Sequence, residues 1–214
     1  MMRKLILTAL LVLSPLAFIH LTFAAEFEEG VHYRVLSEQQ PTQTGDKIEV
    51  RELFWYHCPH CYNLEKPLIE WQKTMPENAE FVAMPAVLGD SWEFHARVFY
   101  TFEALGITDE FHGKLFDAIH KKPRPLNRVF EVEPVAKWVE ENGGPSASDF
   151  ISAFNSFAVD TQARSAAVMT RKYEISGVPS MVVGGKYVTT VSMAGNYDTF
   201  FKVIEHLINL SAQP

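Results

Sequence analysis

The tightest constraint on this chain is an abrupt change of hydrophobic period around residues 57–59. Residues 47–56 read Lys-Ile-Glu-Val-Arg-Glu-Leu-Phe-Trp-Tyr. The first part alternates and the end is continuously apolar and aromatic, as in a strand that becomes buried along its length. From Pro59 to Lys73 the apolar residues Tyr62, Leu64, Leu68, Ile69 and Trp71 take helical spacing, with Pro67 expected to kink the helix. Glu80 to Val87 reads as a second strand, and Pro85 marks it as an edge strand or marks its end.

Between Ser91 and about Phe157 there is no convincing strand pattern. Trp92–Leu105, Asp109–His120, Glu133–Glu141 and Ser148–Asn155 read as helices, punctuated by Pro123-Arg124-Pro125 and Asn142-Gly143-Gly144-Pro145. A longer helix is expected over about Ala158–Tyr173. Strand pattern returns at Ser180–Val183 and Lys186–Thr189, either side of Gly184-Gly185, a dipeptide suited to a tight hairpin turn. An amphipathic helix over about Tyr197–Leu210 closes the pattern. The expectation is an α/β fold interrupted by a helical insertion. Residues 25–90 and 158–214 form the α/β domain, and residues 91–157 form the inserted helical domain.

The N-terminus is a separate object. Arg3 and Lys4 precede an apolar stretch from Leu5 to Phe23, small residues follow, and acidic residues begin at Glu26. Residues 1–24 read as a cleaved export signal, with cutting after Ala24 preferred to cutting after Ala25; the alternative is an uncleaved anchor. The formal net charge of −7 gives no electrostatic reason to bind nucleic acid or anionic lipid.

An exported protein is free to use structural disulfides, yet this one has only two cysteines, Cys58 and Cys61. A bridge closing so small a loop restrains the unfolded chain very little, so the pair calls for a chemical explanation. It falls where the strand hands over to the helix. Residues three apart at a helix start share a face, which lets the sulfurs meet. Cys58 sits at the positive end of the helix dipole beside unpaired N–H groups, which favours a thiolate. Pro59 suits the first helical position, where no N–H is needed. An imidazolium at His60 favours the thiolate further. Stabilising the thiolate stabilises the reduced pair and makes the disulfide a stronger oxidant, with about 30 mV corresponding to about 1.4 kcal/mol. Cys61 is expected to be buried, with a more ordinary pKa. Tyr62 in place of a histidine excludes haem attachment. Zinc would need four ligands, and His57, Cys58, His60 and Cys61 lie too close together in sequence to surround one ion. His57 reads either as an exposed loop residue or as a redox-tuning one.

Phe54-Trp55-Tyr56-His57-Cys58-Pro59-His60-Cys61-Tyr62 resembles the active site of the DsbA family, the bacterial periplasmic dithiol oxidases. Gly177-Val178-Pro179-Ser180-Met181-Val182-Val183 followed by Gly185-Lys186-Tyr187 is similar to that family's cis-proline loop and hairpin. The resemblance spans roughly residues 27–210 and implies a thioredoxin fold with a helical insertion. It implies Cys58 as nucleophile, Cys61 as partner thiol and His60 as the main thiolate stabiliser. Val178 and Pro179 are implied to hold a cis peptide bond and to pair with bound substrate. Glu52 matches a buried acid that assists proton transfer at Cys61; the other reading is a solvated strand carboxylate. Some family members pair that acid with a lysine on the next strand, and none lies in Phe81–Val87. The implied partners are reduced exported proteins and a DsbB-like, quinone-linked membrane oxidase, with no metal or cofactor beyond the Cys58–Cys61 disulfide. Two other readings are a disulfide isomerase or reductase, which usually brings a separate dimerisation domain with no room between residues 25 and 45, and a periplasmic peptide-binding chaperone on the same fold.

Overall fold

The computed structural model describes residues 27–213; the export-signal reading of residues 1–24 lies outside them. Five strands form one sheet: β1 (Arg34–Val35), β2 (Ile48–Phe54), β3 (Ala79–Pro85), β4 (Ser180–Val183) and β5 (Tyr187–Thr190), in the order β1-β5-β4-β2-β3. β2 runs parallel to β3 and antiparallel to β4, β5 is antiparallel to β4, and β1 is antiparallel to β5. The parallel pair needs a crossover, which α1 (Pro59–Gln72) supplies. β3 is an edge strand and Pro85 is its last residue, so the missing N–H costs no ladder bond inside the sheet.

Four helices interrupt the α/β order after β3: α2 (Asp90–Leu105), α3 (Thr108–His120), α4 (Val132–Glu141) and α5 (Ala147–Phe154). Then α6 (Phe157–Lys172) leads back to the hairpin, and α7 (Val191–Ala194) and α8 (Tyr197–Ser211) end the chain. α5, α6 and α8 each start with a side-chain cap, from Ser146, Ser156 and Asn196. The β4–β5 turn is closed by Lys186 N–H donating to the Val183 carbonyl at 3.1 Å, with Gly184 and Gly185 at φ 58° and 65°. Two consecutive positive φ angles need residues like these. A Cβ on Gly185 would also collide with the Gln40 carbonyl.

β2 lies inside the sheet between β4 and β3, and its two faces pack against different cores. Side chains alternate along a strand. Val50 therefore joins Leu64, Leu68 and Trp71 of α1 and Ile204 and Leu207 of α8, whereas Leu53 joins Ala166 and Tyr173 on the α6 side. Phe54 and Tyr56, at the C-terminal end of the strand, enter a third cluster with Cys61 and the inward residues of the helical block, among them Phe99, Phe102, Phe111 and Phe116. The cysteine turn is thus walled on one side by the inserted helices.

β2–β5, α1–α6 and α8 fall within a few residues of the ranges read from the sequence. β1 and α7 were not anticipated.

Candidate active site

Cys58 is the N-cap of α1, in extended conformation at φ −84° and ψ 116°, with Pro59 in the first turn. Its N–H donates to the Trp55 carbonyl at 2.9 Å, and Tyr62 N–H donates to the Cys58 carbonyl at 3.1 Å, so the turn is locked before and after the sulfur. Cys58 and Cys61 are free thiols here; Cys58 is 8% exposed and Cys61 is fully buried. Among the described residues, no group of three or more His, Cys, Asp or Glu could hold a metal.

The two sulfurs differ in chemistry. The Cys58 thiol is pulled from its ordinary value of 9 down to about 6. The largest cause is a hydrogen bond from the Cys61 thiol. The N–H groups of Cys61 and His60 at the start of the helix act in the same direction, burial opposes them, and the His60 charge contributes least. This order differs from what the family resemblance implied for His60. The reason is physical: His60 is exposed and its field is screened by water, whereas the Cys61 thiol donates directly. Cys61 does not keep an ordinary pKa. Burial, the hydrogen bond it gives to Cys58, and the nearby Cys58 and Glu52 charges push it far up.

Opposite the turn, the Val178–Pro179 peptide is cis, and the Val178 carbonyl lies 3.6 Å from Cys58 Sγ as acceptor. Ser180 Oγ donates to the Gly177 carbonyl at 2.8 Å and ties the loop down. His60, Val178, Pro179, Met193 and Tyr197 line a groove of about 680 Å³ beside the sulfur.

Glu52 is buried, at 1% exposure, so the solvated-carboxylate reading does not hold. It pairs in register with Ala83 and Met181. Period two places it on the same face as Val50, the face covered by α1. Its Oε1 has no hydrogen-bond partner. Burial first, then the charges of Glu65 and Cys58, push its carboxyl well above the ordinary range. Of the described residues, no lysine is among the groups that shift it.

The surroundings include His57, read from the sequence as an exposed loop residue or a redox-tuning one, together with residues that the sequence did not single out. His57 is half-buried; Arg128 N–H donates to its Nε2 at 3.3 Å, so it is fixed to the loop after α3. His95 of α2 stacks near it, with ring centroids 6.2 Å apart, and is held neutral by burial, its pKa lowered to about 3. His120 Nε2 is 2.8 Å from the Tyr56 carbonyl, and its ring stacks on Tyr62 at 4.9 Å. Glu65 stands one helical turn after Cys61 on α1, a spacing that could have flagged it. His95 and His120 come from the insertion, and nothing local connects them to the turn.

The comparisons with known proteins agree with this geometry. Residues 49–205 match a family model described as a DSBA-like thioredoxin domain. The thiol:disulfide interchange protein DsbA of Pseudomonas aeruginosa is 37% identical over 207 residues, covering 97% of this chain and 96% of that one. The protein of the same name from Azotobacter vinelandii is 37% identical over 211 residues, covering 97% of each. The crystal structure of Pseudomonas aeruginosa DsbA superposes with a TM-score of 0.81 at 35% identity, covering 87% of this chain and 95% of that one. The oxidoreductase NmDsbA1 from N. meningitidis superposes with a TM-score of 0.75 at 25% identity, covering 88% and 95%. The fold is thioredoxin-like, and the chain belongs to the DsbA family of thiol:disulfide oxidoreductases.

Proposed function

We propose that this chain donates a Cys58–Cys61 disulfide to reduced proteins newly exported to the bacterial periplasm. The observation that carries the reading is the asymmetry of the two thiols, one lowered to about 6 and the other buried and raised. A thiolate of low basicity is a good leaving group, and its stability favours the reduced pair. A substrate thiolate attacks Cys58 Sγ, the Cys58–Cys61 bond breaks, and the electron pair leaves on Cys61 Sγ. The substrate's second thiolate then attacks its own sulfur in the mixed disulfide and expels the Cys58 thiolate.

Each remaining residue has a role beside that exchange. Pro59 starts the helix and leaves the next N–H groups free to face the sulfur. His60 adds a screened positive charge. Val178 and Pro179 offer backbone and an apolar surface to an extended substrate segment along the groove. Glu52, kept neutral by burial, protonates Cys61 as it leaves and takes the proton back on reoxidation. The Cys58–Cys61 pair is the whole redox centre and needs no metal. A DsbB-like, quinone-linked membrane oxidase restores the disulfide. Residues 1–24 act as the cleaved export signal, and the inserted helical domain over residues 91–157 walls the site within the domain formed by residues 25–90 and 158–214.

Equilibrating the mature protein with glutathione buffers tests this. The expected potential lies well on the oxidising side of thioredoxin's about −270 mV. A thioredoxin-like value would overturn the oxidase reading.

A further inference from the structure

A cavity of about 300 Å³ lies on the α6 side of the sheet, lined by residues of β2, β3, α2 and α6 and by residues 41–43. It shares no lining residue with the groove beside His60. Arg51 reaches it from β2, on the face that carries Leu53. The Arg51 side chain is 9% exposed, and its Nε donates to Glu49 Oε1 at 2.7 Å. Among the described residues that is the one hydrogen bond the guanidinium makes. A guanidinium has five N–H donors in a planar fork, so those on Nη1 and Nη2 remain for whatever enters the cavity.

Tyr173, which follows the last residue of α6, lines the same cavity. It is fully buried, and its hydroxyl has no hydrogen-bond partner. Burial pushes the phenol up, and the charge of Arg51 offsets this only in part. Buried polar groups are almost always bonded by protein, water or a bound molecule, and one left alone costs stability. Glu103 of α2 completes the set. Its carboxyl is pushed up by burial alone, with no cation or donor to offset it. Arg51 and Glu103 form no ion pair with each other, although Tyr100 feels both charges, Glu103 raising its phenol and Arg51 lowering it. The cavity thus presents donors from Arg51 and Tyr173 and an acceptor from Glu103, none of them used by the others.

We propose that this cavity binds a small zwitterion of amino-acid size, whose carboxylate takes the Arg51 Nη donors and the Tyr173 hydroxyl and whose ammonium meets Glu103. A guanidinium fork matches a carboxylate in shape as well as charge. A simple anion would gain less, because Glu49 already balances much of the Arg51 charge. The volume is at the small end for ligand sites. Met84, Ala166 and Met169 supply an apolar wall for a short aliphatic chain. The site lies apart from the thiols, and its occupation does not depend on the disulfide-donor reading.

The test titrates mature protein with glycine, β-alanine and γ-aminobutyrate, whose two charges are progressively further apart, and with acetate and methylammonium as half-probes. Amide chemical shifts report where each binds. At least one zwitterion is expected to saturate shifts in residues 41–43 and along α6, at least about tenfold more tightly than either half-probe. Arg51→Met is unsuitable, because it also strips Glu49 of its cation. Tyr173→Phe removes only the unbonded hydroxyl. It is expected to weaken the zwitterion about tenfold and, without ligand, to melt no earlier than the parent. Glu103→Gln is expected to reduce the zwitterion to the level of acetate, and it decides alone if Tyr173→Phe does not fold. No saturable binding, binding no tighter than acetate, or shifts confined to the groove beside His60 would each overturn the site. So would parental affinity in Tyr173→Phe, or an earlier melt, which would make the hydroxyl a structural partner.

Discussion

The two faces of β2 carry buried acids in opposite conditions. On one, Glu49 has both carboxylate oxygens engaged: Arg51 Nε donates to Oε1 at 2.7 Å and Gln43 N–H donates to Oε2 at 2.8 Å. On the other, three residues along, Glu52 has an oxygen with no partner at all. Both are 1% exposed. A buried charge is normally paired, or else it gives up its charge. Glu49 takes the first course and serves the fold. Glu52 takes the second and lies next to the redox pair, where a proton can be given and returned.

The largest expected effect breaks the satisfied side. Arg51→Met leaves Glu49 buried without its cation and should cost about 3–5 kcal/mol in urea unfolding. Glu52→Gln removes no partner and should change stability by less than about 1 kcal/mol. Equal losses in the two variants would erase the distinction drawn between the faces.

His95 extends the comparison to a base, since its Nδ1 is also buried without a partner. Its pKa falls from 6.5 to about 3 on folding, chiefly through burial. In that window the unfolded chain binds the extra proton, so stability is full above pH 6.5 and drains as the pH falls towards 3. The loss by pH 4 should be roughly 3 kcal/mol. His95→Gln should unfold over a shallower acid limb than the parent in urea titrations at each pH; identical limbs would show that His95 is not the group responsible.

How much of this could be read before the structure depends on how local each signal is. The switch from strand to helix at Cys58 is written in adjacent residues, so β2, α1 and the cysteine pair were plain. The helices of the insertion were legible from apolar spacing and Pro/Gly punctuation. β1 was not, because two residues, Arg34 and Val35, carry no period, and their strand exists only by pairing with Val188 and Tyr187. At the site, the proximity of Val178–Pro179 came from family resemblance alone. Glu65 could have been found from its one-turn spacing to Cys61. His95, His112 and His120 could not, since packing of the insertion brings them to the turn; the Tyr56–His112 bond spans 56 positions.

Cys58 supplies the next test, as a group stabilised in its charged form. Its folded pKa of about 6 lies below the ordinary 9, so the stabilisation is complete above pH 9 and is lost as the pH falls through 6. The drop corresponds to at most about 4 kcal/mol, and screening by the solvent next to the turn reduces that to roughly 2 kcal/mol. Reduced protein should therefore gain stability between pH 6 and 9 relative to Cys58→Ser. Parallel profiles for the two would mean that the sulfur is not held as an anion.

The smallest effect separates the two neighbours that hold this anion. A hydrogen bond to a charged acceptor is worth about 1.5–3 kcal/mol, whereas an exposed charge contributes about 1 kcal/mol or less. Cys61→Ala should therefore raise the Cys58 pKa by about 1–2, and His60→Ala by less than about 0.7. Titration of the thiolate absorbance in each variant measures both. The comparison between satisfied and orphaned groups requires this order, because the thiol that caps the anion is itself buried and hydrogen-bonded directly to it. If His60→Ala raised the pKa more than Cys61→Ala, the solvent-facing side of the turn would control the anion.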